Sequence, residues 1–308
     1  AAQPVRDGLL AAYYGESRRR PEINFFDTAG TPAGALAAYD KAVASGADFV
    51  VGPLGRDEVD AVYGRQPLQV PVLALNRGKD APPAGSAGFS LAPEDDGIVA
   101  AEYLRGRERN RALVISSNDD TGRRAAAAFA QRFAQRGGQV AATVAVAEAV
   151  GDVSAQVRNA GQIDAVFLAV RAPQARLLAP QLALAGAGGA TRVGTSQLTT
   201  GSGKAEEDVA LDGIIYPNEA WNVRSVSGVP SAAQVGQTLP SARGAAGRLF
   251  AFGADAWKIS AYLEKLSNEG GLDGATGTLY LDSNGNILRQ PAWSTFSGGR
   301  PMPIAGGR

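Results

Sequence analysis

Residues 48–59 read DFVVGPLGRDEV, an apolar β-branched run that stops at Gly52-Pro53 and continues into a charged segment. This order predicts a buried parallel strand that leads into a helix. Ligands of open α/β sheets bind beyond the carboxyl ends of such strands, so we expect Gly52, Pro53, Leu54 and Arg56 to lie on the rim of a cleft. The alternative is that the Gly-Pro pair simply turns the chain.

The same alternation of apolar runs and helical segments recurs along the chain, and right-handed crossovers would join successive strands. A first set predicts strands at 23–27, 49–51 and 70–75 and helices at 4–14, 32–45 and 56–63. A second set predicts strands at 112–116, 139–146, 164–170, 191–195 and 214–216. A long helix at 245–266 and a hairpin at 277–281 and 286–289 follow. The sequence therefore predicts the α/β class, with two doubly wound parallel-sheet lobes joined by hinge strands.

The chain passes between the two predicted lobes more than once. We assign residues 1–90 and 243–271 to lobe 1, and residues 91–218 and 272–308 to lobe 2. Residues 217–243 are rich in Ser, Gly, Pro and Val without a clear period, which predicts an irregular connecting segment. A double connection of this kind makes hinge closure the natural motion.

The composition excludes several classes of function. Thirty basic residues balance 30 acidic ones, so no global field attracts nucleic acid or an anionic membrane surface. Histidine and cysteine are absent, which removes Ser-His-Asp triads, thiolate nucleophiles, Cys/His zinc sites and disulfides. The turn at 282–285 has its glycine at the wrong position for a calcium loop, and residues 201–204 lack the full phosphate-loop pattern. We therefore predict no catalytic centre, no metal and no cofactor.

Further cleft candidates follow strand ends in both lobes. They carry amide, carboxylate, hydroxyl or guanidinium groups suited to a small polar ligand, and they are Asn76, Arg77, Asp119, Thr121, Arg171, Ser196 and Tyr216. For Asp119 and Thr121 the alternative is helix capping. Arg171 has no such obvious local role, so it is the stronger candidate. Asp255 lies on an apolar helix face, where it either bonds to a loop of its own lobe or has a raised pKa at a site; we expect the structural role.

Short blocks in order along the chain carry a resemblance to a known family. They read VRDG at 5–8, VGPL at 51–54, FSLAPED at 89–95, FGADAW at 252–257 and TGTL at 276–279. With these blocks the chain resembles the penicillin-binding protein activator lipoproteins, the LppC or LpoA family. Their C-terminal domain is similar to the Leu/Ile/Val-binding protein architecture, the type I periplasmic binding protein fold. In that fold a strand precedes the first helix, so we expect a strand before residue 1.

The resemblance implies a non-enzymatic role at the periplasmic side of the outer membrane. It implies a lipoprotein that binds and activates a bifunctional class A penicillin-binding protein, the peptidoglycan synthase, with membrane contact only through a lipid anchor absent from these residues. The alternative is a periplasmic solute-binding receptor that closes over a small polar ligand. An enzyme is a third and weaker hypothesis, because no pair of carboxylate, Lys or Tyr groups is convincingly placed. No nucleic-acid partner is expected.

Overall fold

The computed structural model describes residues 2–199, 201–239, 242 and 244–304. Within them the helices are α1 (Ala2–Gly15), α2 (Pro32–Ala44), α3 (Arg56–Tyr63), α4 (Pro93–Gly106), α5 (Asp120–Gln135), α6 (Ser154–Asn159), α7 (Ala172–Leu182), α8 (Ala205–Asp208), α9 (Ala220–Val223), α10 (Ala232–Thr238) and α11 (Gly244–Glu269). The strands are β1 (Val50–Val51), β2 (Val72–Ala74), β3 (Ala87–Phe89), β4 (Arg111–Ser117), β5 (Gln139–Val146), β6 (Ala165–Ala169), β7 (Thr191–Gly194), β8 (Ile215–Asn218), β9 (Leu272–Asp273), β10 (Thr278–Leu281), β11 (Asn286–Gln290), β12 (Ala292–Ser297) and β13 (Arg300–Pro303). A π turn at Ala183–Ala187 extends α7.

The chain divides into two structural units, and each unit is built from two segments of sequence. The first unit comprises Ala1–Ala92 and Glu219–Gln290, and the second comprises Pro93–Asn218 and Pro291–Arg308. Each unit contains one mixed sheet in which parallel pairs are common. The predicted α/β class with two sheets is confirmed.

The first sheet has the strand order β1-β2-β3-β11-β10-β9. Strands β1, β2, β3 and β11 run parallel, whereas β10 is antiparallel to both of its neighbours. Strand β1 spans two residues. The hydrogen bonding to β2 continues into the loop that follows, where the Gly52 amide donates to Leu73 O at 2.8 Å. The carboxyl ends of β1 and β2 therefore lie at the same edge, as predicted.

Helices α1 and α11 pack at very close range on this unit. The two helices meet where each has a glycine. A Cβ built on Gly8 would lie 1.8 Å from Phe250 O, and one built on Gly253 would lie 1.9 Å from Val5 O. No side chain larger than hydrogen fits at either position unless the backbones separate. The VRDG and FGADAW blocks thus form a single helix contact.

The second sheet has the order β13-β12-β8-β7-β6-β4-β5, with parallel pairing from β8 through β5. Its central strands β4 and β6 are apolar and buried on both faces. Leu113 and Val166 contribute to the core cluster under α6 and α7, whereas Val114 and Phe167 face the cluster under α4 and α5. Helices on both faces explain why these strands read as continuous hydrophobic runs.

Three sequence predictions differ from the structure. The hairpin was assigned to lobe 2 with residues 272–308, but its strands β10 and β11 join the first sheet. Strand β11 pairs with β3, and Leu279 of β10 and Ile287 of β11 are buried in the same core cluster as Phe89. Only the segment from Pro291 belongs with the second unit.

Residues 23–27, predicted as a strand, form no strand in the described chain. Phe25 there is 45% exposed, and the Arg6 guanidinium lies 4.0 Å from the centre of its ring.

Residues 217–243 were predicted to be irregular but contain α9 and α10. Trp221 and Val235 are buried against Phe250 of α11, and the Trp221 indole donates to Pro230 O. Burial of one aromatic ring and one valine orders a segment whose composition is typical of a loop. Residues 240, 241 and 243 of this segment, and 305–308 of the predicted lobe 2, lie outside the described residues.

Candidate functional site

The carboxyl edge of the first sheet is made from the loops after β1 and β2. Gly52 has a φ of 109°, a backbone conformation that favours glycine. The loops are tied to each other: the Leu75 amide donates to Pro53 O at 3.0 Å, and the Asn76 amide nitrogen Nδ2 donates to Leu54 O at 2.9 Å. The structure therefore brings Gly52, Pro53, Leu54 and Asn76 together at this edge.

Two arginines flank these loops. Arg56 is the exposed first residue of α3, and the helix start is capped by Glu58, whose Oε2 accepts from the Gly55 amide at 2.9 Å. Arg77 is half-buried, and its amide donates to Asn76 Oδ1 at 2.8 Å. Arg77 and Asn76 line a groove of about 140 Å³ that also includes Lys79. Both predicted arginines lie near the loops, and most polar groups of the loops already have partners within the unit.

The carboxyl edge of the second sheet holds a polar cluster between β4, β6 and the helices that follow them. Asp119 caps α5, since its Oδ1 accepts from the Gly122 amide at 2.7 Å, and its Oδ2 accepts from the Ser117 hydroxyl at 2.9 Å. Arg171 lies 4.0 Å from Asp119 Oδ2 and 3.5 Å from Glu148 Oε1, with 42% of its side chain exposed. The structure thus brings Asp119 and Arg171 together, and it leaves a partly exposed guanidinium at this edge.

Gln174 organises this cluster, although the sequence did not single it out. Its Oε1 accepts from the Arg171 amide at 2.9 Å, and its Nε2 donates to Ala147 O at 3.0 Å and to Ser117 Oγ at 3.3 Å. This is one half of a capping box, because Gln174 at the third helical position accepts from the N-cap amide, whereas Arg171 has no acceptor with which to return the bond. Gln174 is buried, and its burial is tolerated because its amide oxygen and nitrogen both have hydrogen-bond partners.

The remaining predicted residues lie in three different settings. Thr121 is an exposed residue in the first turn of α5. The Ser196 hydroxyl donates to Asp96 Oδ2 at 2.7 Å, which joins the loop after β7 to α4. The structure differs from the prediction that Tyr216 lines a cleft. Its side chain is fully buried in the core of the second unit, and the centre of its ring lies 5.1 Å from that of Phe296. A tyrosine packed there presents no group to a ligand, so Tyr216 is withdrawn from the candidate site.

Replacing Asp119 with Ala is expected to destabilise the second unit by about 1 kcal/mol, the usual effect of losing a helix N-cap. The hydrogen bond from the Gly122 amide holds the pKa of this carboxyl below its ordinary value. A carboxyl with a lowered pKa stabilises the fold above its unfolded pKa and loses that contribution as the pH falls through the folded value. Urea unfolding of D119A at pH 7 and pH 3 should therefore show the deficit at pH 7 and a smaller one at pH 3.

The matched control for D119A is Asp120→Ala, one residue further along. Asp120 Oδ2 lies 3.4 Å from Arg124 and its side chain is 75% exposed, so its loss should change the free energy of unfolding by under about 0.5 kcal/mol. Equal destabilisation by D119A and D120A would contradict the capping role of Asp119.

Asp255 is the most buried acid of the first unit. Its Oδ1 accepts from the Ala275 amide at 2.6 Å, and its Oδ2 accepts from the Thr276 amide at 2.8 Å and the Thr276 hydroxyl at 2.5 Å. Burial raises the pKa of Asp255 to about 6, against the opposing effect of these hydrogen bonds. The carboxylate joins α11 to the loop before β10, so the expected bond to a loop of its own unit is present together with a raised pKa.

No group of three or more acidic side chains suited to a metal ion occurs among the described residues. No helix in the described ranges combines the length and the apolar character needed to cross a bilayer.

Comparison with known families matches residues 1–159 and 146–299 to the family described as "LppC putative lipoprotein". Curated relatives include the penicillin-binding protein activator LpoA of Mannheimia succiniciproducens, 26% identical over 297 residues, covering 92% of this chain and 49% of the relative. The protein of the same name from Escherichia coli strain K12 is 23% identical over 334 residues, covering 92% of this chain and 48% of the relative. The chain spans about half the length of these curated relatives.

Solved structures of similar fold include the C-domain of LpoA from Haemophilus influenzae, described as a regulator of PBP1A. It is 22% identical, with a TM-score of 0.81 that covers 98% of this chain and 96% of that one. An ABC transporter substrate-binding protein from Sphaerobacter thermophilus is 19% identical, with a TM-score of 0.61 over 98% of this chain and 91% of that one. At these identities the likeness concerns the fold, which is that of type I periplasmic binding proteins.

Proposed function

Because the chain belongs to the LppC family, we propose that it binds and activates a bifunctional class A penicillin-binding protein without catalysing a reaction itself. The observation that carries this proposal is the extent of the family match, which runs over residues 1–159 and 146–299 and so includes both structural units. The relatives that match most of this chain are named penicillin-binding protein activators. The expected location is the periplasmic side of the outer membrane, as part of a lipoprotein.

The polar groups at the two carboxyl edges favour a binding protein over an enzyme. In the first unit they bond mainly to each other's backbone, as Asn76 does to Leu54 O. In the second unit Asp119 caps a helix and Gln174 joins three segments. A nucleophile or a general base needs an acceptor or donor aimed at a substrate, and these groups are committed to the fold.

A small-ligand receptor is the second candidate function, and one observation favours it. Arg171 keeps 42% of its side chain exposed beside Asp119 at the carboxyl edge, where ligands of α/β sheets bind. A guanidinium in that position suits a carboxylate of a small solute. The two functions are compatible if a bound solute alters the affinity for the synthase.

The test is a calorimetric titration of the chain into the purified periplasmic portion of a class A penicillin-binding protein from the same source. We expect saturable binding with micromolar or tighter affinity and, in a parallel assay, an increase in the activity of the synthase. A solute-binding protein of the same fold serves as the control and should neither bind nor stimulate. Absence of binding, together with a rise in melting temperature on adding an amino acid, would replace the activator proposal by the receptor.

A further inference from the structure

The second unit carries a cluster of arginines at the edge of its sheet opposite the carboxyl ends. Strands β4 to β7 run parallel, so the turns that lead from each helix into the next strand all lie at this amino edge. These turns, the ends of the helices before them and the starts of the strands after them contain seven arginines that we call the arginine edge: Arg105, Arg107, Arg109, Arg111, Arg136, Arg158 and Arg192. The chain as a whole has balanced charge, and the acids along the same edge are Glu102, Glu108, Asp164 and Asp212. The Asp212 carboxylate accepts from the amides of Gly298 and Gly299.

Most of these guanidinium groups are held in place by neutral acceptors. Arg105 Nε donates to Arg136 O at 2.9 Å, and Arg109 Nε donates to Thr191 Oγ1 at 2.9 Å. Arg111 donates to Gln139 Oε1 at 3.2 Å and to Ala160 O at 3.3 Å. Arg192 donates to Asp212 O, a backbone carbonyl, at 3.0 Å. Such bonds fix the position of the charge without neutralising it, which concentrates positive potential at this edge.

Carboxylates neutralise little of this charge. Among the described residues Arg136 is the one member of the arginine edge in an ion pair, with Glu102. Asp164 lies within the edge, but its two oxygens accept from the backbone amides of Asn110 and Arg111 at 2.8–3.0 Å. Its charge is therefore directed at the start of β4. The edge remains positive in a molecule whose formal net charge is zero.

An open groove of about 710 Å³ adjoins the arginine edge. Arg111, Arg158, Gln162 and Asp164 provide its polar lining, and Val157, Ile163 and Ala187 provide apolar lining. The Asp164 carboxylate is already engaged by the amides of Asn110 and Arg111. Beside it, Leu184 in the π turn after α7 is 83% exposed, the most exposed large apolar side chain of the described chain. Positive charge thus lies next to apolar surface along one side of a single unit.

We infer that the arginine edge and its groove dock an acidic segment of the partner synthase that also presents apolar side chains. This inference rests on the proposed function, since it names the surface used for that partner. Guanidinium groups bind carboxylates through paired hydrogen bonds, and arginine is enriched at the centres of protein interfaces. The apolar lining and Leu184 favour a polypeptide over a phosphate-rich surface, which would leave that area without a partner.

The test uses Arg158→Glu with Arg123→Glu as its matched control. Arg158 is exposed, and its charge acts on the exposed carboxylate of Asp152 within the same unit, so its reversal should leave the fold intact. Arg123 is an exposed arginine of the same unit at the opposite, carboxyl edge, where its guanidinium donates to Asn118 O. The circular dichroism of both variants is compared with wild type to show that each is folded. We expect R158E to weaken binding to the synthase roughly tenfold, mainly through slower association, and to reduce its dependence on salt. R123E should bind as wild type does.

A second variant, Leu184→Ser, tests the apolar component of the same surface. It should weaken binding with little change in the dependence on salt, because it removes contact area and no charge. The inference is overturned if R158E and L184S both bind within twofold of wild type, or if R123E weakens binding as much as R158E does.

A separate probe distinguishes failure of the inference from failure of the proposed function. If the wild-type chain does not bind the synthase, the proposed function fails, and the surface is then titrated with a synthetic peptide that alternates Glu with Leu and Ser. Binding of this peptide that R158E abolishes would support the docking surface by itself. No peptide binding, or binding instead to vesicles containing anionic phospholipid that R158E abolishes, would overturn it.

Discussion

A Gly253→Val variant is expected to lose the native packing of the first unit. The Cβ that valine adds would lie 1.9 Å from the carbonyl oxygen of Val5, and Gly8 on the facing helix is equally confined by Phe250 O at 1.8 Å. The obstacles are backbone atoms, so no change of rotamer relieves the contact and α1 must separate from α11. We expect the free energy of unfolding to fall by more than about 3 kcal/mol, the upper range for overpacking a core.

Circular dichroism and urea unfolding of G253V would measure this effect. The control is Gly106→Ala at the end of α4, where an added Cβ meets no atom within 4 Å. Alanine has the higher helix propensity, so G106A should leave stability unchanged or raise it slightly. A G253V protein with the stability of wild type would show that the two helices are not in the contact described here.

An Asp255→Asn variant is expected to be less stable by about 2 kcal/mol or more at neutral pH. Three donors converge on the two carboxylate oxygens, from the Ala275 amide, the Thr276 amide and the Thr276 hydroxyl. An asparagine can accept at one oxygen only, so its NH₂ group must face at least one backbone N–H. A buried donor left without an acceptor costs about 1–3 kcal/mol. The control is Asp273→Asn, at the end of β9 just before this loop. The Asp273 side chain is 52% exposed and pairs with Arg224 at the surface, so its replacement should change stability little.

The pH dependence of this pair gives an independent check. Because burial raises the pKa of Asp255 to about 6, the folded protein keeps a proton there that the unfolded chain releases near pH 4. The contribution of Asp255 to stability must then decrease as the pH rises from about 4 to 6. The stability advantage of wild type over D255N should shrink across that range, by up to about 3 kcal/mol. An advantage that grows with pH would contradict the raised pKa.

D255N also separates a structural role from a functional one. If Asp255 serves mainly to hold the loop before β10, the variant should lose stability, and the protein that remains folded should still activate the synthase. Unchanged stability together with abolished activation would contradict the structural role.

The local features of the fold could be predicted from the sequence because they depend on neighbouring residues. The stretch from Val50 to Val59 is an example: an apolar run, a glycine with positive φ and a charged helix start define β1, its loop and α3, whose observed bounds, Arg56–Tyr63, equal the predicted ones. The hairpin around Asp282 was likewise recognised from its turn residues. Its place in the first sheet was not, because the pairing of β11 with β3 joins segments far apart in the chain.

The candidate site was predictable to a similar extent. Position after a strand singled out the loop residues Leu54 and Asn76, which the structure places in contact; that they bind a ligand stays a prediction. The same criterion failed for Tyr216, because the direction in which a strand residue points and what covers it depend on the packing of Phe296 from a distant segment. Gln174 was missed because a capping box has Ser or Thr at the N-cap, and here that position is Arg171. Its bonds to Ser117 and Ala147 join segments that are distant in the sequence.

The pairing of β3 with β11 has a consequence for biogenesis. Arg289 of β11 donates to Ser90 O, across 199 positions of sequence, so the middle of the first sheet can form only after the segment Pro93–Asn218 of the second unit has been made. Until then the β3 edge has free backbone donors and acceptors, which is a template for intermolecular association. Non-local pairing of this kind also slows folding. A nascent chain would therefore be most vulnerable to aggregation and proteolysis through its early residues. A chaperone that shields them would raise the yield more than one acting on the second unit.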